Sequence, residues 1–297
     1  MKLFGTARSV PVRTPFRLDL TVDALRRLAS NVVDVFGEDG TYYRALRDAQ
    51  GDAVVAISQR EPGAIEIRAT GPRSARWEAT ATRMLGAGVD LAAWYGRSRR
   101  IAWLRPFAQA FIGVKPPRYP TLWEACAHAI LFQQISIHAA AAIMRRVVES
   151  IGEPLTIGKL CCVPFPEAQR WLDAGDARLR AAGLSSNKLA AVRAVAAATL
   201  DGTLDERELE ALPTEEVGRR LSAVRGLGAW SASVILLRGL GRLDAFPLRD
   251  SGVARSLAAM SGREDVNQTE LLERLGPVRG MLYYHLLLSR MRPIRPE

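Results

Sequence analysis

The sequence predicts an α+β chain, with an antiparallel β-sheet carrying helices on one face over residues 1–100 and an all-helical part over residues 121–297. Three observations carry this expectation. Short β-rich runs broken by turn signals fill the first hundred residues. Apolar residues recur at helical spacing from Thr121 onward. Between the two, residues 101–120 hold Lys115-Pro116-Pro117 and Tyr119-Pro120, which forbid regular helix because proline lacks the backbone donor. At 297 residues the chain is long enough to bury two cores.

In the first part, KLFGTARSVPV alternates and reads as a strand, and TVDALRRLASNVVDVF carries apolar residues at helical spacing. YYRALRD, AVVAISQ and AIEIRAT are separated by Gln50-Gly51 and Pro62-Gly63, as in an antiparallel meander. ARWEATATRMLGAG reads as a helix lying across that sheet. No motif here bears chemistry. Trp94, Trp103, Phe107, Phe111 and Tyr119 gather around residues 101–120 and read as a hydrophobic seam rather than a ligand pocket.

The helical part opens on Thr121 and Glu124, spaced as a capping box in which each side chain satisfies the other's backbone N–H. The helix WEACAHAILFQQIS follows, its apolar period interrupted by Gln133 and Gln134. AAAIMRRVVES continues as helix into a loop holding Gly158, Cys161, Cys162 and Pro164. PFPEAQRWLDAG and DARLRAAG are short amphipathic units, and LSSNKLAAVRAVAAATLDG starts on the cap cluster Ser185-Ser186-Asn187. Lys188, next in line, is either a solvated first-turn residue or a phosphate contact. LPTEEVGRRLSAV then leads to Val224-Arg225-Gly226-Leu227-Gly228, two glycines two apart between helical runs. Two helices joined by a tight hairpin would read this way, the second with unpaired N–H groups able to seat a phosphate. A GxG between helices is by itself also the mark of an ordinary turn. Asp250 follows Gly228 by 22 residues and precedes the helix SGVARSLAAM, where an N-cap belongs. TELLERLG and GPVRGMLYYHLLLSRMRP close the chain as helices.

Composition narrows the class. With 48% hydrophobic and 24% charged residues, the chain has the balance of a soluble globular protein. A net charge of +10, carried mostly by Arg, favours a polyanionic partner because each neutralised phosphate releases counterions. Cys126, Cys161 and Cys162 have no metal-ligating or disulfide spacing. No apolar run spans a bilayer and MKLFGTARSV lacks a signal-peptide core, so a cytoplasmic protein acting with the DNA is expected.

GLGAWSA at 226–232 and FPLRDSGVARSL at 246–257, in this order and with Trp230 directly after the hairpin, resemble the helix-hairpin-helix (HhH-GPD) DNA glycosylases. The closest likeness is to the DNA-3-methyladenine glycosylase II (AlkA-like) branch, in which a GxGxWxA hairpin precedes the catalytic aspartate by this interval. The resemblance implies a curved, TBP-like sheet domain over 1–100, an inter-domain seam over 101–120 and a helix-hairpin-helix glycosylase domain over 121–297. It further implies a monomer that flips damaged bases out of double-stranded DNA and binds no membrane. The reaction implied is monofunctional hydrolysis of N3-methyladenine- and N7-methylguanine-type purines in base excision repair, leaving an abasic site.

Residue by residue, the resemblance makes Asp250 the carboxylate that stabilises the oxocarbenium-like sugar. Trp230 stands where strand-cutting relatives carry a Schiff-base Lys, and its indole offers a stacking face to a cationic base. Phe132, Tyr283, Tyr284, Leu287 and Val234 are the base-pocket candidates, with the caution that Tyr283 and Tyr284 point in different directions from one helix. Val234 and Leu287 stand where the best-known members show aromatics. Gln134 takes the place of the DNA wedge, where Leu is common. Arg225 and the amides of Gly226, Gly228 and Ala229 are the phosphate contacts, and Arg249 pairs with Asp250 or with phosphate. Backbone carbonyls of Ser222, Val224 and Leu227 map to a monovalent cation, Na+ or K+, and the missing C-x6-C-x2-C-x5-C tail removes an iron–sulfur cluster. Two alternatives remain: a non-catalytic binder of distorted DNA, which gains nothing from a carboxylate near phosphates, and a same-fold glycosylase for oxidised or deaminated bases, against whose strand-cutting types Trp230 counts.

Overall fold

The computed structural model describes residues 4–48, 51–71, 74–292 and 294. Strands β1 (Arg8–Pro11), β2 (Asp34–Phe36), β3 (Tyr42–Asp48), β4 (Gly51–Glu61) and β5 (Ala64–Ala69) form one antiparallel sheet in the order β1-β5-β4-β3-β2. The expected meander is β3-β4-β5, turning at Pro62-Gly63; Gln50 of the other predicted turn lies outside the described residues. Helix α1 (Leu18–Arg26) packs beside β2, and α2 (Ser74–Met84) lies across β5.

One predicted helix divides in two. TVDALRRLASNVVDVF is helical only through Arg26, stops at Arg27 with φ 62°, and enters the sheet as β2. β-Branched Val32, Val33 and Val35 favour a pleated surface. Asp34 between them is fully buried and accepts hydrogen bonds from Tyr42 Oη at 2.6 Å and from the Arg44 guanidinium. Apolar spacing alone does not record that obligation.

Helices α3 (Ala92–Ser98) and α4 (Arg105–Ala110) precede the proline-rich crossing, which is free of helix from residue 114 to 120. Trp94 and Phe111 are buried in a core that Trp103 and Phe107 also flank, and Tyr119 stacks on His128 at 4.2 Å.

The remaining helices are α5 (Leu122–Leu131), α6 (Ile137–Ile151), α7 (Ala168–Asp173), α8 (Asp176–Ala181), α9 (Ser186–Leu200), α10 (Glu206–Ala211), α11 (Thr214–Ala223), α12 (Ala229–Arg238), α13 (Ser251–Ser261), α14 (Gln268–Leu275) and α15 (Gly280–Met291). Where a loop was expected around Gly158, strands β6 (Leu155–Ile157) and β7 (Leu160–Cys162) make a small hairpin. Helix α5 is buried along its whole length and packs against α9 and α12. No helix among the described residues is long and apolar enough to cross a membrane.

Half of the expected capping box forms. Thr121 Oγ1 accepts from the Glu124 amide at 3.2 Å, but the Glu124 carboxylate is buried and takes Arg44 Nη2 at 2.6 and 2.5 Å. A guanidinium without water demands anions more strongly than a helix end demands a cap, and Arg44 already holds Asp34. This cluster ties β2 and β3 to α5. Arg238 of α12, also fully buried, donates to the carbonyls of Ala24 at 3.0 Å and Leu25 at 2.8 Å, placing a cation on the C-terminal end of α1. Helix α1 thereby reaches the same side of the molecule as α12 and α15.

Candidate active site

Helix α11 ends at Ala223, and residues 224–228 turn the chain into α12. Gly226 has φ 91°, and a Cβ there would lie 2.2 Å from the Ala191 Cβ of α9, so glycine is required on both counts. Gly228 differs: a Cβ there would meet nothing within 4 Å. It N-caps α12 in extended conformation, leaving the first amides of that helix uncapped by any side chain and open to an approaching group.

Asp250 N-caps α13. Its Oδ1 accepts from the amides of Gly252 at 2.7 Å and Val253 at 3.0 Å, and its Oδ2 accepts from Trp230 Nε1 at 2.8 Å. Three N–H donors therefore fix one carboxylate, and one of them belongs to the second residue of α12. The pair opens on a cleft of about 890 Å³ walled by the turn after α5, the start of α12, residues 249–256 and one face of α15.

Asp250, Trp230, Phe132, Tyr283, Leu287, Gln134, Gly228 and Ala229 all line that cleft. Two predicted pocket residues do not. Tyr284 is turned away on α15 and fully buried, with its Oη donating to the Pro117 carbonyl at 3.0 Å, and Val234 lies buried on the core side of α12. Arg225 and Gly226 sit outside the cleft on the exposed hairpin, and Ser222, Val224 and Leu227 surround the turn itself. Arg249 is exposed on the cleft wall and makes no ion pair with Asp250. Lys188 matches neither of its expected roles: its Nζ donates to the Leu131 carbonyl at 2.6 Å, closing the end of α5, and burial lowers its pKa.

Several cleft residues were not among those expected from the sequence. Gln133, beside the predicted wedge, donates from Nε2 to the Gly226 carbonyl at 2.8 Å and to Ser231 Oγ at 2.6 Å, so the turn after α5 is pinned to the hairpin. Arg27 reaches the cleft from the end of α1. Arg290 was findable, because it follows Tyr283 by seven residues and Leu287 by three on one helix face; its guanidinium covers Gly252. Among the described residues, four guanidinium groups (Arg27, Arg249, Arg255 and Arg290) line the cleft with the single carboxylate of Asp250. Among the described residues, the non-glycine positions with positive φ are Arg27 (62°), Gln134 (57°) and Arg249 (58°), and all three are cleft residues. Left-handed backbone costs an L-residue about 1–2 kcal/mol, and such strain concentrates at functional sites.

The HhH-GPD superfamily base excision DNA repair protein profile matches residues 127–278, from α5 through the hairpin and Asp250 to the turn before α15. The chain belongs to the HhH-GPD superfamily. The likeness read from GLGAWSA and FPLRDSGVARSL is borne out, as is the α+β fold class. Among HhH-GPD relatives, the DNA-3-methyladenine glycosylase of Bacillus subtilis is 26% identical over 168 residues, 57% of this chain and 55% of that protein. A Mycobacterium tuberculosis protein described as a probable bifunctional transcriptional activator/DNA repair enzyme AlkA is 28% identical over 300 residues, 96% of this chain and 57% of its own length. The chain thus spans about half the length of the curated relatives it matches. The 3-methyladenine DNA-glycosylase structure from Archaeoglobus fulgidus superposes with a TM-score of 0.80 at 23% identity, covering 96% of this chain and 98% of the other, which establishes the fold.

Proposed function

We propose that this HhH-GPD protein is a monofunctional DNA glycosylase that hydrolytically excises alkylated purines of the N3-methyladenine and N7-methylguanine type, acting as a monomer on double-stranded DNA. One observation carries the reading. A carboxylate held by three N–H groups stands at a large open cleft, joined through Trp230 to a hairpin shaped to accept a phosphate. The Bacillus subtilis and Archaeoglobus fulgidus relatives, both named as 3-methyladenine DNA glycosylases, support the substrate class.

Excision begins with flipping, because a glycosidic bond inside a duplex is out of reach. The uncapped amides of Gly228 and Ala229, with Arg225 on the exposed hairpin, grip the strand beside the lesion. Gln134, exposed in the turn after α5 and lining the cleft, fills the space the nucleotide leaves. The base enters against Phe132, Tyr283 and Leu287, and water is displaced from the cleft. As the C1′–N bond lengthens, positive charge grows on the sugar, and Asp250 faces it without rearranging because its orientation is already fixed. Water then adds to C1′ and releases one proton to solvent. An alkylated purine bearing positive charge leaves without prior protonation, so one carboxylate suffices.

The hairpin carbonyls of Ser222 and Leu227 accept no hydrogen bond from the described residues, and a set of neutral oxygens with no acid suits a monovalent cation. Ser222, Val224 and Leu227 would hold Na+ or K+, which when bound supplies positive charge beside the gripped phosphate.

No lysine among the described residues lines the cleft, and Trp230 occupies the place of an amine nucleophile. Incubating the protein with N7-methylguanine duplex should release the free base and leave an intact abasic strand, and borohydride should trap no protein–DNA adduct. A trapped adduct, or strand scission in step with base release, would contradict hydrolysis.

A further inference from the structure

The reaction and the cleft pull in opposite electrostatic directions. Breaking the C1′–N bond puts positive charge on the sugar, and an alkylated purine brings positive charge of its own. Yet among the described residues the cleft is lined by four guanidinium groups and one carboxylate. The interaction of two charges grows as their separation and the local dielectric fall, so a bare cation close to Asp250 would cancel much of what that carboxylate supplies. With substrate bound, the nearest cation needs an anion of its own.

Arg290 stands beside Asp250. A Cβ built on Gly252 would lie 3.0 Å from Arg290 Nη1 and 3.0 Å from Asp250 Oδ1, so the two heads border one spot at the start of α13. They form no ion pair, and Asp250 is already held by two amides of α13 and the Trp230 indole. Gly252 lacks the positive φ that would call for glycine, and what distinguishes glycine there is the room it leaves for the guanidinium. A cation in the last turn of a helix, where Arg290 sits in α15, can simply suit the helix dipole. This one is exposed on the cleft wall, however, and makes no hydrogen bond or ion pair with any described residue.

Resting on the glycosylase reading, we propose that Arg290 is a positioning residue that holds a phosphate of the flipped nucleotide itself and so seats the sugar of that nucleotide over Asp250. A guanidinium fork meets phosphate oxygens in pairs, which fixes orientation as well as distance. A carboxylate facing C1′ and a cation at the phosphodiester of the same sugar are one sugar apart. Two heads that border a single side-chain position without touching have that arrangement. The amides of Gly228 and Ala229 grip the strand from α12, and Arg290 acts from the α15 wall on the nucleotide that has left the stack. Once its charge is paired with phosphate, Asp250 is the net charge facing C1′, and a cationic purine is no longer opposed from this side.

The test is single-turnover release of N7-methylguanine at saturating protein, by wild type and Arg290→Met, with Tm as the check on folding. The damaged strand is either unmodified or carries one neutral methylphosphonate, at the 5′ or the 3′ phosphodiester of the damaged nucleotide. On the unmodified duplex Arg290→Met should lower the saturated rate roughly 10- to 100-fold, the loss of one charge-assisted contact made with the reacting sugar in place. One of the two methylphosphonates should slow wild type by a similar factor, and on that duplex Arg290→Met should cost no more than about twofold further. The other should leave the full Arg290 effect. Losses that multiply at both positions would show that Arg290 touches neither phosphate and would overturn the proposal while leaving the glycosylase intact. A variant that binds weakly yet reaches the wild-type saturated rate would overturn it too, since affinity alone is not positioning. Wild type that releases no base from the unmodified duplex defeats the glycosylase reading, and the proposal falls with it.

Discussion

Asp250 and Trp230 act as one unit, since the indole N–H and two amides of α13 leave the carboxylate a single orientation. Hydrogen bonds to charged groups contribute about 1.5–3 kcal/mol. Trp230→Phe keeps an aromatic ring and deletes that donor, so single-turnover excision should fall about tenfold or more while abasic-duplex binding persists; an unchanged rate would remove Trp230 from the positioning of Asp250. The sequence placed both residues, because a glycine hairpin, an aromatic after it and an acid at a helix start are local signals. It did not disclose the bond between them. Arg27 was illegible for a different reason: one arginine of an Arg-Arg pair has no local mark that distinguishes a buried cleft charge from its half-buried neighbour, Arg26, which pairs with Asp23. Tyr284 shows the reverse error, a tyrosine at the right end of the right helix but on the wrong face.

At the scale of elements, the cleft is assembled where the turn after α5, the α11–α12 hairpin and the start of α13 meet. Gln133 joins the first two and Trp230 the last two. The hairpin depends on Gly226, whose φ of 91° and approach to Ala191 leave no room for a side chain. Gly226→Ala should lower stability by more than about 2 kcal/mol, a shift of roughly 4–8 °C in Tm, and weaken DNA binding with it. A Tm within a degree of wild type would show that α9 and the hairpin yield easily. Helix-hairpin-helix periodicity was readable because amphipathic spacing and glycine are local. The division of TVDALRRLASNVVDVF into α1 and β2 was not, since it follows from Asp34 and Arg44 meeting across the sheet.

Across the whole molecule, two apolar cores run through the sequence-based boundaries at residues 100 and 120. One joins the sheet to α5, α9 and α12, and the other joins α1 to α3, α4 and α13–α15. His285 lies in the second, packed on Trp94 at 4.6 Å. Burial lowers its pKa to about 4, against a smaller upward pull from the Met281 carbonyl that Nδ1 meets at 2.9 Å. Above pH 6.5 it is neutral folded or unfolded and costs nothing. Between pH 6.5 and 4 the unfolded chain takes a proton that the folded one refuses, so stability falls, by about 3 kcal/mol in all. Glu124 works in the opposite sense, raised by burial to about 7 despite Arg44. The informative quantity is therefore a difference: His285→Phe should flatten the loss of urea stability between pH 7 and 4.5 relative to wild type, and parallel profiles would refute the assignment.

The central claim is that Asp250 performs chemistry rather than merely capping α13. Asn at this position still caps a helix well, so Asp250→Asn separates the two roles. Single-turnover release of N7-methylguanine from duplex DNA measures the difference most directly. The account predicts a loss of at least roughly 100-fold with abasic-duplex affinity and Tm near wild type, and a variant that releases the base at the wild-type rate would contradict it.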